Sequence, residues 1–179
     1  MTVDLALLQS VSYIAGALGV CVAATYYVMN MRNLIKVREL DTCKYLTMQF
    51  TSDPSLQTYA LLMKKLEWKD HEDFMEKYGY SNPEIFGKWA SWFFMGDTFG
   101  YIIRNGLARA ETIYNLGGWG YIRLWERYKD FIVSRRGEVY GRDYFAGFEF
   151  LAGEMLKIKT RNDASFKEKL ETYRRTWKP

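Results

Sequence analysis

Residues 5–31 read LALLQSVSYIAGALGVCVAATYYVMNM, a stretch of 27 residues without a charge, bracketed by Asp4 and Arg32. A helix needs roughly 20 apolar residues to cross a bilayer core of about 30 Å, so Leu5 to Met31 is long enough to span. A helix also satisfies its own backbone hydrogen bonds. It can therefore carry Gln9, Ser10, Ser12, Thr25 and Asn30 within the apolar run. A secretory signal would open with basic residues and close at small ones. Here Asp4 is the only charge before the run, and the run closes on Tyr26, Tyr27, Val28 and Met29. The reading is a transmembrane anchor over residues 1–31.

The flanks predict its orientation. Arg32, Lys36, Arg38 and Lys44 follow the span and no Lys or Arg precedes it. Positive charge is retained on the cytoplasmic side, which predicts a single-pass protein of the cell membrane with its N-terminus outside and its C-terminal domain cytoplasmic. Tyr26 and Tyr27 fit an aromatic belt at that interface. Ala15, Gly19 and Ala23 recur every fourth residue. Such a ridge of small residues permits close approach of a second helix in the membrane.

Beyond the span, leucine-type residues continue at helical spacing through about Phe50 with no Gly or Pro between, which predicts a rigid stalk. Only three prolines occur in the chain, at 54, 83 and 179, and none interrupts an apolar periodic segment. The expectation is an all-α protein, with residues 32–160 forming a helical-bundle cytoplasmic domain and residues 161–179 a basic polar tail. Asp53-Pro54 predicts an N-cap and first turn, and Asp70 a cap for a short helix closed by Gly79. Asn82-Pro83-Glu84 opens a helix ending near Asn105-Gly106, whose interior Gly87, Gly96 and Gly100 suggest close approach of a neighbour. A short helix over Ala108 to Leu116 ends at Gly117-Gly118. Tyr121, Leu124, Trp125, Tyr128, Phe131 and Ile132 then form an apolar face, with Arg123, Glu126, Arg127 and Asp130 opposite. Tyr144, Phe148, Leu151, Met155 and Ile158 mark the next amphipathic helix, and Phe166, Leu170 and Tyr173 a short terminal one.

Chemistry-bearing patterns are sparse. The single histidine, His71, reads as an exposed helix-start residue, and Asp70, Glu72 and Asp73 suit the first turn of that helix. Di-metal, zinc and histidine-dependent nucleophile sites all need more than this sequence offers. No catalytic, cofactor or metal residues are assigned, and no cofactor is expected. Cys21 and Cys43 lie 22 residues apart along one predicted helix, roughly 33 Å and beyond disulfide reach. Gly117-Gly118-Trp119-Gly120 lacks the strand and the Lys-Ser/Thr of a phosphate loop and reads as a turn. Glu149, between Phe148 and Phe150, is expected in a rim salt bridge. Lys167, Lys169, Arg174, Arg175 and Lys178 are diluted by Glu168 and Glu171 and read as a solvated face. With a net charge of only +4, nucleic acid is not expected as a partner.

Several motifs together resemble an uncharacterised family of single-span, membrane-anchored, all-helical proteins of archaea and bacteria. They are the N-terminal span running into a long helix, Leu66-Glu67-Trp68-Lys69-Asp70 with Phe74 and Lys77-Tyr78-Gly79, Asn82-Pro83-Glu84, Leu124-Trp125-Glu126-Arg127-Tyr128 followed by Arg135-Arg136, and Tyr144 through Leu151 with Glu154-Met155. The resemblance implies one span and a helical cytoplasmic domain, and brings no catalytic residues. The functional expectation is a non-enzymatic, membrane-anchored interaction or scaffold protein. Its partners would be the lipid bilayer and either further copies of itself or other membrane-complex subunits. The alternative is an accessory subunit of a membrane-bound metabolic enzyme complex whose catalytic residues lie in other chains.

Overall fold

A computed structural model describes residues 5–64, 66–137 and 140–177, with backbone only at 40, 43, 46, 47, 49–51 and 53. The described residues form eight α-helices and no strand. The chain divides into two compact units, Met1–Thr42 and Cys43–Pro179. The described residues of the first unit belong to helix α1 (Leu5–Thr51), whose residues from Cys43 on belong to the second.

Within the second unit α1 is followed by α2 (Asp53–Lys64), where the N–H of Leu56 bonds the carbonyl of Ser52 at 3.1 Å. The capping role expected of the Asp53 side chain, and the positions of Leu40, Leu46 and Cys43 on the stalk, lie outside the described side chains. In α3 (His71–Tyr78) the Asp70 carboxylate accepts the Asp73 N–H at 2.9 Å, and Gly79 closes the helix. These are the predicted caps. Helix α4 (Pro83–Arg104) starts as its Asn-Pro-Glu signal requires, with Asn82 accepting from the Ile85 N–H at 3.4 Å.

The short helix before the glycine cluster is more compact than its periodicity predicts. Regular α geometry is confined to α5 (Ala110–Ile113) and gives way to a π-helical turn over Tyr114–Gly118. Gly117 adopts φ +97°, a left-handed conformation that a side chain would disfavour, and the chain reverses there into α6 (Gly120–Val133). Helix α7 (Ala146–Asn162) begins two residues after Tyr144, following Phe145 at φ +51°. The last helix, α8 (Ala164–Trp177), packs back on α6 and α7 through Phe166 and Leu170, both buried.

Helices α4 and α7 form the main axis of the bundle, and glycine explains how closely they approach. A Cβ at Gly100 would lie 1.8 Å from the Gly147 carbonyl oxygen, and one at Gly147 would lie 2.3 Å from the Asp97 carbonyl oxygen. Gly96 is also tight, against Phe148 and Tyr121, whereas Gly87 faces open space and marks no helix contact. At the crossing, the Asp97 carboxylate on α4 accepts the Phe148 N–H at 3.0 Å, so one helix caps the first turn of the other.

Aromatic rings fill the core between these helices. Phe74, Phe93, Tyr121, Tyr128 and Phe148 are fully buried, and Phe93 meets Phe148 and Tyr128 at centroid distances of 5.4 and 4.9 Å. These separations favour edge-to-face and tilted ring pairs, which add to the area each ring removes from water.

Candidate functional site

The apolar segment of α1 is the first candidate. Residues Leu5–Glu39 are long and apolar enough to cross a membrane, and none of that segment's most apolar window is buried. Large side chains are exposed in every direction around the helix, including Leu7, Val11, Tyr13, Ile14, Leu18, Val22 and Tyr26. A helix with a single core-facing side would show one apolar stripe; one apolar all round suits a surrounding of hydrocarbon.

Four polar side chains of this segment bond within the helix. The Ser10 hydroxyl donates to the Ala6 carbonyl at 2.9 Å, Ser12 to Leu8 at 2.9 Å, and Thr25 to Cys21 at 2.8 Å. The Gln9 amide donates to the Tyr13 hydroxyl at 3.3 Å. Each such bond removes a polar group that would otherwise cost several kcal/mol in lipid. Ala15, Gly19 and Ala23 lie one turn apart on the same face, all exposed, and a Cβ at Gly19 would meet nothing. Tyr26 and Tyr27 are exposed near the end of the uncharged run, followed by exposed Arg32, Lys36 and Arg38.

In the second unit, two residues of α6 depart from their sequence reading. Arg127 and Glu126 were expected on the solvated side of α6, yet only 7% and 6% of their surface is exposed. Arg127 donates Nε–H to the Leu62 carbonyl at 3.1 Å and one terminal N–H to the Trp177 carbonyl at 2.9 Å. Its other terminal nitrogen donates to the Leu66 carbonyl. Its guanidinium also lies 5.0 Å from the Trp68 ring centroid. The Leu62 and Trp177 carbonyls belong to the last turns of α2 and α8, where helix carbonyls lack internal partners and the dipole is negative. One buried cation thereby closes two helix ends. The Tyr128 hydroxyl adds a donor to the same Leu62 carbonyl at 2.8 Å, and burial pushes that phenol well above its ordinary range.

Glu126 receives both Nε and a terminal nitrogen of Arg174 at 2.9 Å each, and Lys129 at 2.7 Å. Burial works against its charge, but the hydrogen bonds from Arg174 and then Lys129 prevail and hold its carboxyl below the usual value. Arg174, read from the sequence as part of a solvated basic face, is therefore a structural tie between α8 and α6. A signal for Arg127 was present: it stands three residues after Leu124 and four before Phe131, at the margin of the apolar stripe.

The remaining candidates fall as follows. Glu149 pairs with Arg136 at 2.5 Å and is half exposed, the rim salt bridge expected of it. His71 is more enclosed than expected, with its ring stacked on Phe131 at 4.6 Å and Nδ1 buried without a partner. Burial, with Arg135 nearby, holds its pKa below 6.5. No group of three or more His, Cys, Asp or Glu able to hold a metal occurs among the described residues. A cleft of about 580 Å³ opens between α6, α7 and α8, walled by aromatic rings and carrying Arg123 and Lys159. Compared with known proteins, the chain matches no family model, no curated protein and no solved structure.

Proposed function

We propose that the chain is a membrane-anchored helical interaction protein. Its anchor lies within residues 5–31 of α1, and its helical domain serves by association with partners rather than by catalysis. The observation that carries this reading is the uncharged helix, apolar on all sides, unburied, and with its Ser, Thr and Gln side chains bonded internally. The basic run Arg32, Lys36 and Arg38 supports a single-pass arrangement in the cell membrane with the domain in the cytoplasm. The ridge Ala15, Gly19 and Ala23 is the contact face for a second copy or for another membrane subunit. Membership of the family of single-span helical proteins is part of this proposal and rests on the sequence motifs.

Extraction of the protein from membranes in native lipid discs, with its mass and composition then measured, tests this function. A homo-oligomer, or a complex with stoichiometric membrane partners, is the expected result, and Gly19→Leu should weaken it by crowding the ridge. Recovery as a monomer with no copurifying chain contradicts it. Recovery with the catalytic chains of a metabolic enzyme selects the accessory-subunit alternative.

A further inference from the structure

The cleft between α6, α7 and α8 has a construction that the anchoring reading leaves unexplained. One wall is a row of rings along α8. Phe166 meets Tyr173 at 5.6 Å, and Tyr173 stacks on Trp177 at 5.4 Å with an interplanar angle of only 12°. A cation stands over each end of the row: the Lys159 ammonium 5.3 Å from the Phe166 centroid, and the Arg123 guanidinium 5.6 Å from that of Trp177. Trp119, 48% exposed, also lines the space.

The two cations differ in what they hold. Lys159 has a carboxylate neighbour, Asp163, at 3.8 Å. Arg123 has no hydrogen bond or ion pair among the described residues, and its Nε is buried without a partner. Three other arginines of the second unit are occupied: Arg127 by three carbonyls, Arg136 by Glu149, and Arg174 by Glu126. A buried donor left unbonded is costly, and a guanidinium presents a planar fork suited to a carboxylate. The cleft, at about 580 Å³, has the volume of a small-molecule site.

We infer that this cleft binds a small planar carboxylate, with its carboxylate on Arg123 and its flat apolar body against Tyr173 and Trp177. Arg123 supplies charge and direction, and the rings supply apolar contact. Lys159, already neighboured by Asp163, contributes little to the anion.

The test uses the full chain in lipid discs, titrated calorimetrically with 2-naphthoate and with its neutral counterpart 2-naphthamide, against empty discs. A planar ligand of this size should bind with a Kd below about 1 mM. Naphthoate should bind at least about tenfold more tightly than naphthamide, as expected for one charge-assisted pair. Arg123→Gln should abolish that preference, whereas Lys159→Gln should change naphthoate affinity less than about threefold. Ionic strength provides a second measurement on the unaltered protein, independent of how Arg123→Gln folds. Raising salt should weaken naphthoate several-fold and leave naphthamide unchanged. Equal affinities for the two probes, no binding of naphthoate at millimolar concentration, or a preference that survives Arg123→Gln and high salt would each overturn the inference.

Discussion

Replacing Gly100 with alanine isolates the contact on which the bundle closes. The added Cβ would lie 1.8 Å from the Gly147 carbonyl oxygen and 2.8 Å from its Cα. A carbon and a carbonyl oxygen rest at about 3.3–3.6 Å, so α4 and α7 must part by roughly 1.5 Å. Both sides are main chain, so no side chain can rotate away, and the overpacking cost falls near the upper end of its usual range, about 3 kcal/mol. Parting the helices also stretches the 3.0 Å bond from the Phe148 N–H to Asp97, worth about 1.5–3 kcal/mol with a charged acceptor. Alanine returns about 1 kcal/mol of helix propensity. The net loss is about 3.5–5 kcal/mol, on the order of 15 °C in Tm for a domain of this size. Thermal unfolding followed by tryptophan fluorescence is the appropriate assay, since Trp68, Trp89, Trp92, Trp119, Trp125 and Trp177 all lie in the second unit. Gly87→Ala is the internal control: on the same helix, with nothing within 4 Å, it should stabilise by about 0.5–1 kcal/mol. If Gly100→Ala melts at or above the parent temperature, the proposed backbone contact between α4 and α7 is wrong.

Arg127→Lys should cost about 2–4 kcal/mol in urea unfolding, because a single ammonium cannot reach the Leu62, Leu66 and Trp177 carbonyls with the geometry of a guanidinium; an unchanged midpoint refutes the two-helix cap. Glu126 has a depressed pKa in the folded state, so its stabilisation is complete above the ordinary value of 4.5 and is lost as pH falls through the folded value. Glu126→Gln should therefore flatten the acid limb of stability against pH, and an identical slope in the two proteins would count against the tie to Arg174. His71 shows the same sense of pH dependence for a different reason. Its neutral form is favoured on folding, so stability is complete above 6.5 and declines as the ring is forced to protonate below that. A folded-state NMR titration of His71 with a midpoint at or above 6.5 refutes its enclosure against Phe131.

The helices were legible wherever a terminus carried its own chemistry. Asp70 and Gly79 around α3, and Asn82-Pro83 before α4, state their boundaries locally, and the structure uses those side chains as caps. Boundaries set by tertiary contact were less visible. The start of α7 depends on Asp97, 51 residues earlier, and on two glycines meeting across the bundle, which periodicity does not report. The tight turn at Gly117 was legible as a turn, while its π geometry was not.

The polar interior was the least legible part. A charge normally marks the solvated side of a helix, and Arg127 violates that rule because its partners are helix-end carbonyls supplied by α2 and α8. Arg174 looked like a member of a basic cluster for the same reason, since its partner Glu126 is 48 residues away. The aromatic cleft also required the fold. Its rings recur along α8, but Arg123 and Lys159 come from two other helices.

Anchoring itself is most directly tested at Cys21, whose thiol lies exposed in the middle of the uncharged segment. In the Cys43→Ser protein it is the sole cysteine, and only a hydrated thiolate reacts with a water-soluble maleimide. If α1 spans a bilayer, membranes carrying this protein should show no labelling until they are dissolved in SDS, when labelling should become complete. Rapid labelling of Cys21 in intact membranes, or recovery of the full-length chain in the soluble fraction, would contradict the transmembrane anchor.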